Sequence, residues 1–157
     1  MKISCRRMTD TRRADAQALL NAFLREDDHY LETSSIYGDE GLPALKRALG
    51  LFLRRSDLGF VWLAYADREP AAVCVVTYAI STSIGGLVAK LDDVYVAPPL
   101  HGRGVGTQMM KSLIKELKRK RVRRIDTSVH NGNDVAANYY RKNGFMMLNE
   151  ERLTLVL

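Results

Sequence analysis

From Val105 onward apolar residues recur at Val105, Met109, Met110, Leu113, Ile114 and Leu117, with Lys111, Lys115, Glu116 and Lys118 between them. That is one face of a 3.6-residue period, so the spacing predicts an amphipathic helix with one buried stripe. The same period over Ala16, Leu19, Leu20 and Phe23 predicts an earlier helix, which Thr9 or Asp10 can cap after a short strand from Ile3 to Met8. A further helix begins near Leu42, carries Leu45, Leu49 and Phe52 on one face, and ends near Arg54. A short one is expected from Asn133, with Gly144 as its C-cap.

Between these lie runs that read as strands. Leu58 to Tyr65 and Ala71 to Thr82 are rich in β-branched and aromatic residues and are joined by ADREP, a turn by its Asp and Pro content. Trp62 falls in the first of them, where core packing is its default role. Ser83 to Gly86 turns the chain into a strand from Val88 to Val96. Ile125 to Val129 is another, and Met146 to Leu157 supplies the last, alternating as Leu153, Leu155 and Leu157. The order β-α-α-β-β-β-α-β-α-β predicts an α+β fold, a mixed, twisted sheet flanked by helices.

Length and composition narrow the class. The chain has 157 residues, 46% apolar and 27% charged, which predicts one domain over residues 1–157 that buries its own core without staples. No apolar run reaches the roughly 18 residues of a membrane span, and MKISCRRMTD lacks the apolar region of a secretory signal, so a cytoplasmic protein without membrane contact is expected. Cys5 and Cys74 read as buried reduced thiols. His29, His101 and His130 show no ligand spacing to the cysteines or to one another, so no metal is predicted.

The net charge of +6 raises nucleic acid as a partner. Much of the excess sits in Lys118, Arg119, Lys120, Arg121, Arg123 and Arg124, at the end of the helix that starts at Val105. Cations there complement the helix dipole, and no aromatic residues are interleaved for base stacking, so no nucleic-acid partner is expected. The same charge favours a polyanionic small ligand.

Such a ligand has a candidate cradle. Gly102, Gly104 and Gly106 stand where the helix begins, and a helix N-terminus presents unpaired N–H groups at the positive end of its dipole. The P-loop is ruled out because no Lys follows the last glycine, and the dinucleotide fingerprint because the spacing is G-x-G-x-G.

Two further stretches sharpen the reading. NDVAANYYRKNGF, from Asn133 to Phe145, fits the pattern N-x-x-A-x-x-x-Y-x-K-x-G-F at Asn133, Ala136, Tyr140, Lys142, Gly144 and Phe145. His101 to Gly106 fits Q/R-x-x-G-x-G/A except at its first place, and LDDVYV is similar to a strand that reads L-E-D-L-Y-V. In these three motifs, which span residues 91 to 145, the chain resembles the Gcn5-related N-acetyltransferases (GNAT), and among them the small-amine, diamine-type enzymes. The resemblance implies a strongly twisted GNAT sheet in which two central strands splay apart.

It also implies a chemistry, acetyl transfer from acetyl-CoA to a primary amine. Acetyl-CoA would lie along the backbone of Val94, Tyr95 and Val96, with its diphosphate over His101, Gly102, Arg103, Gly104, Val105, Gly106 and Thr107, and with Asn133 and Tyr140 beside it. Tyr140 falls where the family carries its general acid, and Asp92 where related enzymes hold a Glu base. Strand alternation puts Asp92 and Asp93 on opposite faces. Asp27 and Asp28, in the locally acidic segment after the first helix, would with Asp92 hold a small cationic amine. No Cys stands at a motif position, so transfer is expected to be direct. The resemblance further implies a homodimer. A non-catalytic acyl-CoA-binding regulatory domain and a protein or peptide N-acetyltransferase are the rival readings.

Overall fold

The computed structural model describes residues 1–157. Its strands are β1 (Ile3–Arg7), β2 (Gly59–Ala66), β3 (Glu69–Ser81), β4 (Gly86–Val96) and β5 (Ile125–Thr127), in the sheet order β1-β2-β3-β4-β5. The first four are antiparallel neighbours, and β5 joins β4 in parallel. The helices are α1 (Arg13–Glu26), α2 (Asp28–Leu31), α3 (Leu42–Arg54), α4 (Val105–Arg119) and α5 (Asp134–Lys142).

Strand β2 is buried along its whole length because it is covered on both faces. Phe60, Trp62, Ala64 and Ala66 join one core with Val105, Met109, Met110, Leu113 and Leu117 of α4. Val61, Leu63 and Tyr65 point the other way and join Ala16, Leu19, Leu20, Leu45 and Leu49 of α1 and α3. Strand β2 thus reads as a continuous apolar run, which fits a central strand between two helical layers. A two-residue turn links it to β3 through Asp67 and Arg68, both at positive φ (48° and 79°), and Asp67 Oδ1 accepts from the Lys2 amide at 2.7 Å.

Two expectations are corrected. Neither Thr9 nor Asp10 caps α1 through its side chain, since a 3-10 turn over Asp10–Arg12 leads into the helix and Thr9 Oγ1 accepts instead from Arg12 Nη1 at 3.1 Å. The acidic segment after α1 folds in part into the single helical turn α2. The last strand does not form: residues 143–157 carry no strand, and Leu153 and Leu155 are about nine-tenths exposed. Alternation alone does not make a strand when no sheet edge takes its backbone. No helix is long and apolar enough to cross a membrane.

Candidate active site

The site starts from a gap in the sheet. Strands β4 and β5 pair only where Ala89, Lys90 and Leu91 face Ile125, Asp126 and Thr127, and β4 then continues to Val96 without a partner on that side. The Ala97 amide donates to Ala71 O at 2.9 Å, on the β3 side. Backbone alternation therefore turns the N–H and C=O of Val94 and Val96 into the opening. Tyr95 lies opposite Val73 of β3 and its ring packs 6.2 Å from Phe23 of α1, so the structure sets it apart from Val94 and Val96. His101 Nε2 sits 2.7 Å from Val96 O, and because a carbonyl only accepts, this nitrogen donates to it. That bond closes one acceptor of the opening and ties the turn to the end of β4.

At the same end of β4, α4 begins. The amides of Gly104, Val105, Gly106 and Thr107 make no backbone hydrogen bond, as the first turn of a helix leaves them. Gly102 and Gly104 have φ of 71° and 81°, a left-handed conformation that disfavours side chains, and a Cβ on either would meet nothing within 4 Å. Gly106 has a different reason to be glycine: a Cβ there would stand 3.2 Å from Val96 Cγ2 and 3.3 Å from Tyr139 Cε2. Unpaired donors, a dipole end and an open approach form a donor set that fits a diphosphate. Arg103 is exposed in the turn and adds charge.

Helix α5 is pinned to this turn. Asn133 is its N-cap, accepting from the Ala136 amide at 3.1 Å, which commits its side-chain oxygen to the helix start. Tyr139 Oη donates to Gly106 O at 2.8 Å, so a residue expected only to pack also binds α5 to α4. Tyr140 is 8% exposed, with its ring edge-on to Tyr139 and Phe145 at 5.2 and 5.3 Å. Burial pushes its phenol up to about 12, offset in part by the Thr127 hydroxyl at the end of β5. Tyr140 is thus a protonated donor beside the mouth of the gap.

The carboxylates of β4 do not alternate as expected. Leu91 pairs with Val76 and Val94 with Cys74, so Asp92 and Asp93 together oppose Val75 in a β-bulge. Leu91 and Val94, three residues apart, consequently share the α4 face. Asp92 is exposed and forms an ion pair with Lys90 at 2.9 Å. Asp93 is half-buried, and desolvation first, then the charge of Asp92, raise its pKa to about 6 against the pull of Lys90 and Arg152. Its charge is felt by Tyr30 on one side and by Tyr140 on the other. Asp93 thus combines partial burial with a raised pKa, next to the unpaired stretch of β4.

The acidic segment borders the same end of β4. Asp27 caps α2 by accepting from the Tyr30 amide at 2.8 Å, while its charge, with that of Glu26, is felt by Tyr95. Asp28 is exposed in the first turn of α2. Tyr30 Oη donates to Asp39 at 2.8 Å, and Arg152 lies 5.2 Å over the Tyr37 ring with its charge reaching Asp93. Tyr30, Asp39, Thr127 and Arg152 carry no motif and were invisible in the sequence; the bulge did leave a trace, in two apolar residues spaced three apart on a strand. Cys74 is wholly buried with its thiol pushed up by desolvation, and Cys5 is unpaired.

The acetyltransferase (GNAT) family model matches residues 16–145. No curated protein matches the chain at a significant level. Among solved structures it is similar to a probable acetyltransferase, at 21% identity and a TM-score of 0.77, covering all of this chain and 98% of that one. It is also similar to AAC(6')-Iy in complex with the bisubstrate analogue CoA-S-monomethyl-acetylneamine, at 17% identity and a TM-score of 0.71, covering all of this chain and 98% of that one. A third is the ribosomal-protein-alanine N-acetyltransferase of Brucella melitensis, at 8% identity and a TM-score of 0.75, with 99% of each chain covered. At these identities the likeness is one of fold.

Proposed function

The chain belongs to the acetyltransferase (GNAT) family, and from that premise we propose that it moves an acetyl group from acetyl-CoA directly to the primary amine of a small cationic molecule, of the polyamine, basic amino acid or aminoglycoside kind. The observation that carries this reading is the convergence on one sheet gap of four unpaired helix amides, a protonated Tyr140 and a partly desolvated Asp93. Acetyl-CoA supplies the thioester and its acetyl group. The amides from Gly104 to Thr107 would hold its diphosphate, and the backbone of Val94 and Val96 its amide arm, with a Val94 or Val96 N–H free to donate to the carbonyl oxygen as charge develops there.

An alkyl ammonium has a pKa near 10 and must lose a proton before it can attack. Asp93, ionised at neutral pH with a pKa of about 6, takes that proton directly or through a water. This reading moves the base from Asp92, which is exposed and held by Lys90, to its neighbour. Tyr140 then gives its phenolic proton to the departing sulfur. Neither cysteine is a nucleophile, since Cys74 is sealed in the core and burial raises the pKa of Cys5 as well.

The cationic acceptor is supported by Asp27, Asp28, Asp92 and Asp93 lying at one end of β4 in a chain of net charge +6. A guanidinium, that of Arg152, already acts on Asp93 from its place over the Tyr37 ring. The fold neighbour that binds CoA joined to an acetylneamine supports the same class. The test is thiol release from acetyl-CoA with a panel of diamines, aminoglycosides, basic amino acids and peptide N-termini. Tyr140→Phe is expected to lower kcat by about tenfold to a thousandfold with acetyl-CoA affinity unchanged. Faster turnover of peptides than of any cationic amine overturns the acceptor class, and tight acetyl-CoA binding without turnover of any amine overturns the enzyme reading.

A further inference from the structure

The three histidines are scattered in sequence, yet the fold brings two of them together with a carboxylate. His29 lies on α2, Glu32 directly follows that helix, and His130 stands in the loop between β5 and α5. The imidazole centroids of His29 and His130 are 5.2 Å apart, and His130 Nε2 is 2.8 Å from Glu32 Oε2. One nitrogen from each ring and one Glu32 oxygen all lie within 4.8 Å of one another.

The surroundings orient these groups. His130 Nδ1 is 2.7 Å from the carbonyl oxygen of Asn131, which only accepts, so Nδ1 carries a hydrogen and Nε2 is the nitrogen turned toward Glu32. An outer hydrogen bond from one ring nitrogen to a carbonyl is the arrangement that fixes the other as a metal ligand. An ion pair of His130 with Glu32 accounts for two of the groups and leaves His29 unexplained. Nor does α2 need His29 for its own stability, because Asp27 already caps its start through the Tyr30 amide.

We propose that His29, Glu32 and His130 bind one divalent transition-metal ion of the Zn2+ class. Two imidazoles and one carboxylate suit a borderline ion such as Zn2+, whereas Mg2+ and Ca2+ prefer oxygen-only sets. The His130 side chain is 28% exposed and that of Glu32 64%, so the cluster is half-buried at its base and open on one side for an ion to enter. The bound ion ties the acceptor-side segment to the loop that leads into α5. It is a clasp between these two segments, and none of its ligands is Asp93 or Tyr140.

Titration of the chelator-treated full chain with Zn2+ by calorimetry tests this. One ion is expected per chain, with a rise in Tm that chelator reverses. His29→Ala and His130→Ala are each expected to weaken Zn2+ by more than about a hundredfold, exceeding the loss typical of an outer-shell partner. Glu32→Gln, an isosteric change on the exposed side, should match the wild-type Tm in chelator yet lose the Zn2+-dependent rise, which separates ligand loss from misfolding. The visible spectrum of the Co2+ form should lose its nitrogen-ligand character in the histidine variants. A wild-type chain that takes up no stoichiometric Zn2+ overturns the proposal. Variants that bind it as tightly as the wild type do the same.

Discussion

The two walls of the sheet gap are built on different principles. The α4 side, from Val94 to Thr107, presents backbone: amides at a helix start, a strand edge without a partner, and glycines that let something approach. The acceptor side presents side chains that come from separate places, with Asp27 and Tyr30 from α2, Asp39 from the loop beyond it, Asp93 from a bulge and Arg152 from the tail. A backbone site needs only the right local conformation, so a short run of sequence specifies it. A side-chain site needs the whole fold to be in place. On the proposed reading, the first wall recognises a general feature, phosphate and amide groups, and the second sets which amine is used and how it loses its proton.

The largest effect that separates the walls is expected at the bulge. Asp93→Asn should lower kcat/KM by about a hundredfold to ten-thousandfold, the range for removing a positioned base, with acetyl-CoA affinity unchanged. A base works only when ionised, so wild-type kcat/KM should fall tenfold per pH unit below about 6 and level off above it, and that acid limb should vanish in the variant. Asp92→Asn makes the sharper control. It should cost less than about threefold at neutral pH, while shifting the acid limb to lower pH, because the Asp92 charge helps to raise Asp93. If Asp92→Asn is the variant that abolishes turnover, the assignment is reversed and the bulge has no catalytic meaning.

The α4 wall is broken at Gly104. Valine there puts a branched side chain over the unpaired amides, and losing two charge-assisted bonds of about 1.5–3 kcal/mol each predicts at least a hundredfold rise in the Kd for acetyl-CoA. Folding should suffer much less, because a Cβ at this position meets nothing within 4 Å and only the left-handed φ of 81° costs about 1–2 kcal/mol. Calorimetry with acetyl-CoA beside a thermal melt reads both quantities. Unchanged affinity in a folded Gly104→Val protein would make these glycines purely structural.

The same contrast explains what could be read in advance. Helix α4 was legible because its apolar stripe is long and its start is marked by glycines, and Val105, Met109, Met110, Leu113 and Leu117 are all buried. Helix α3 was legible to the residue for similar reasons, with Leu45 and Leu49 in the core. Asp93 was not, because a bulge resets the alternation that any strand reading assumes, and register belongs to the pairing of two strands rather than to one. The C-terminal alternation of Leu153, Leu155 and Leu157 misled for a related reason: β5 is only three residues long, and those leucines stay exposed. Asp27 was singled out for its charge alone, and its work as a helix cap depends on α2, a turn too short to show a period.

The smallest expected effect is thermodynamic, and it bears on the cost of holding a charged group in one wall and not the other. Asp93 has a pKa of about 6 in place of the usual 3.8, with burial as the main cause. Because the folded value is the higher one, Asp93 favours folding below about pH 3.8, where it is protonated in both states, and this contribution is lost as pH rises through about 6. Above that pH the folded protein carries a desolvated carboxylate. Asparagine has no such charge to desolvate, so Asp93→Asn should be more stable than wild type at pH 7.5, by about 1–3 kcal/mol once the water that reaches the cleft is allowed for. The gain should shrink through pH 6 to 4 and be gone near pH 3.5, which thermal melts across that range will show. Gly104→Val provides the reference, since backbone strain involves no proton and its stability loss should be the same at every pH. A destabilised Asp93→Asn protein at pH 7.5 would mean that the carboxylate is held by interactions outweighing its desolvation, and Asp93 would then not be a base poised by burial.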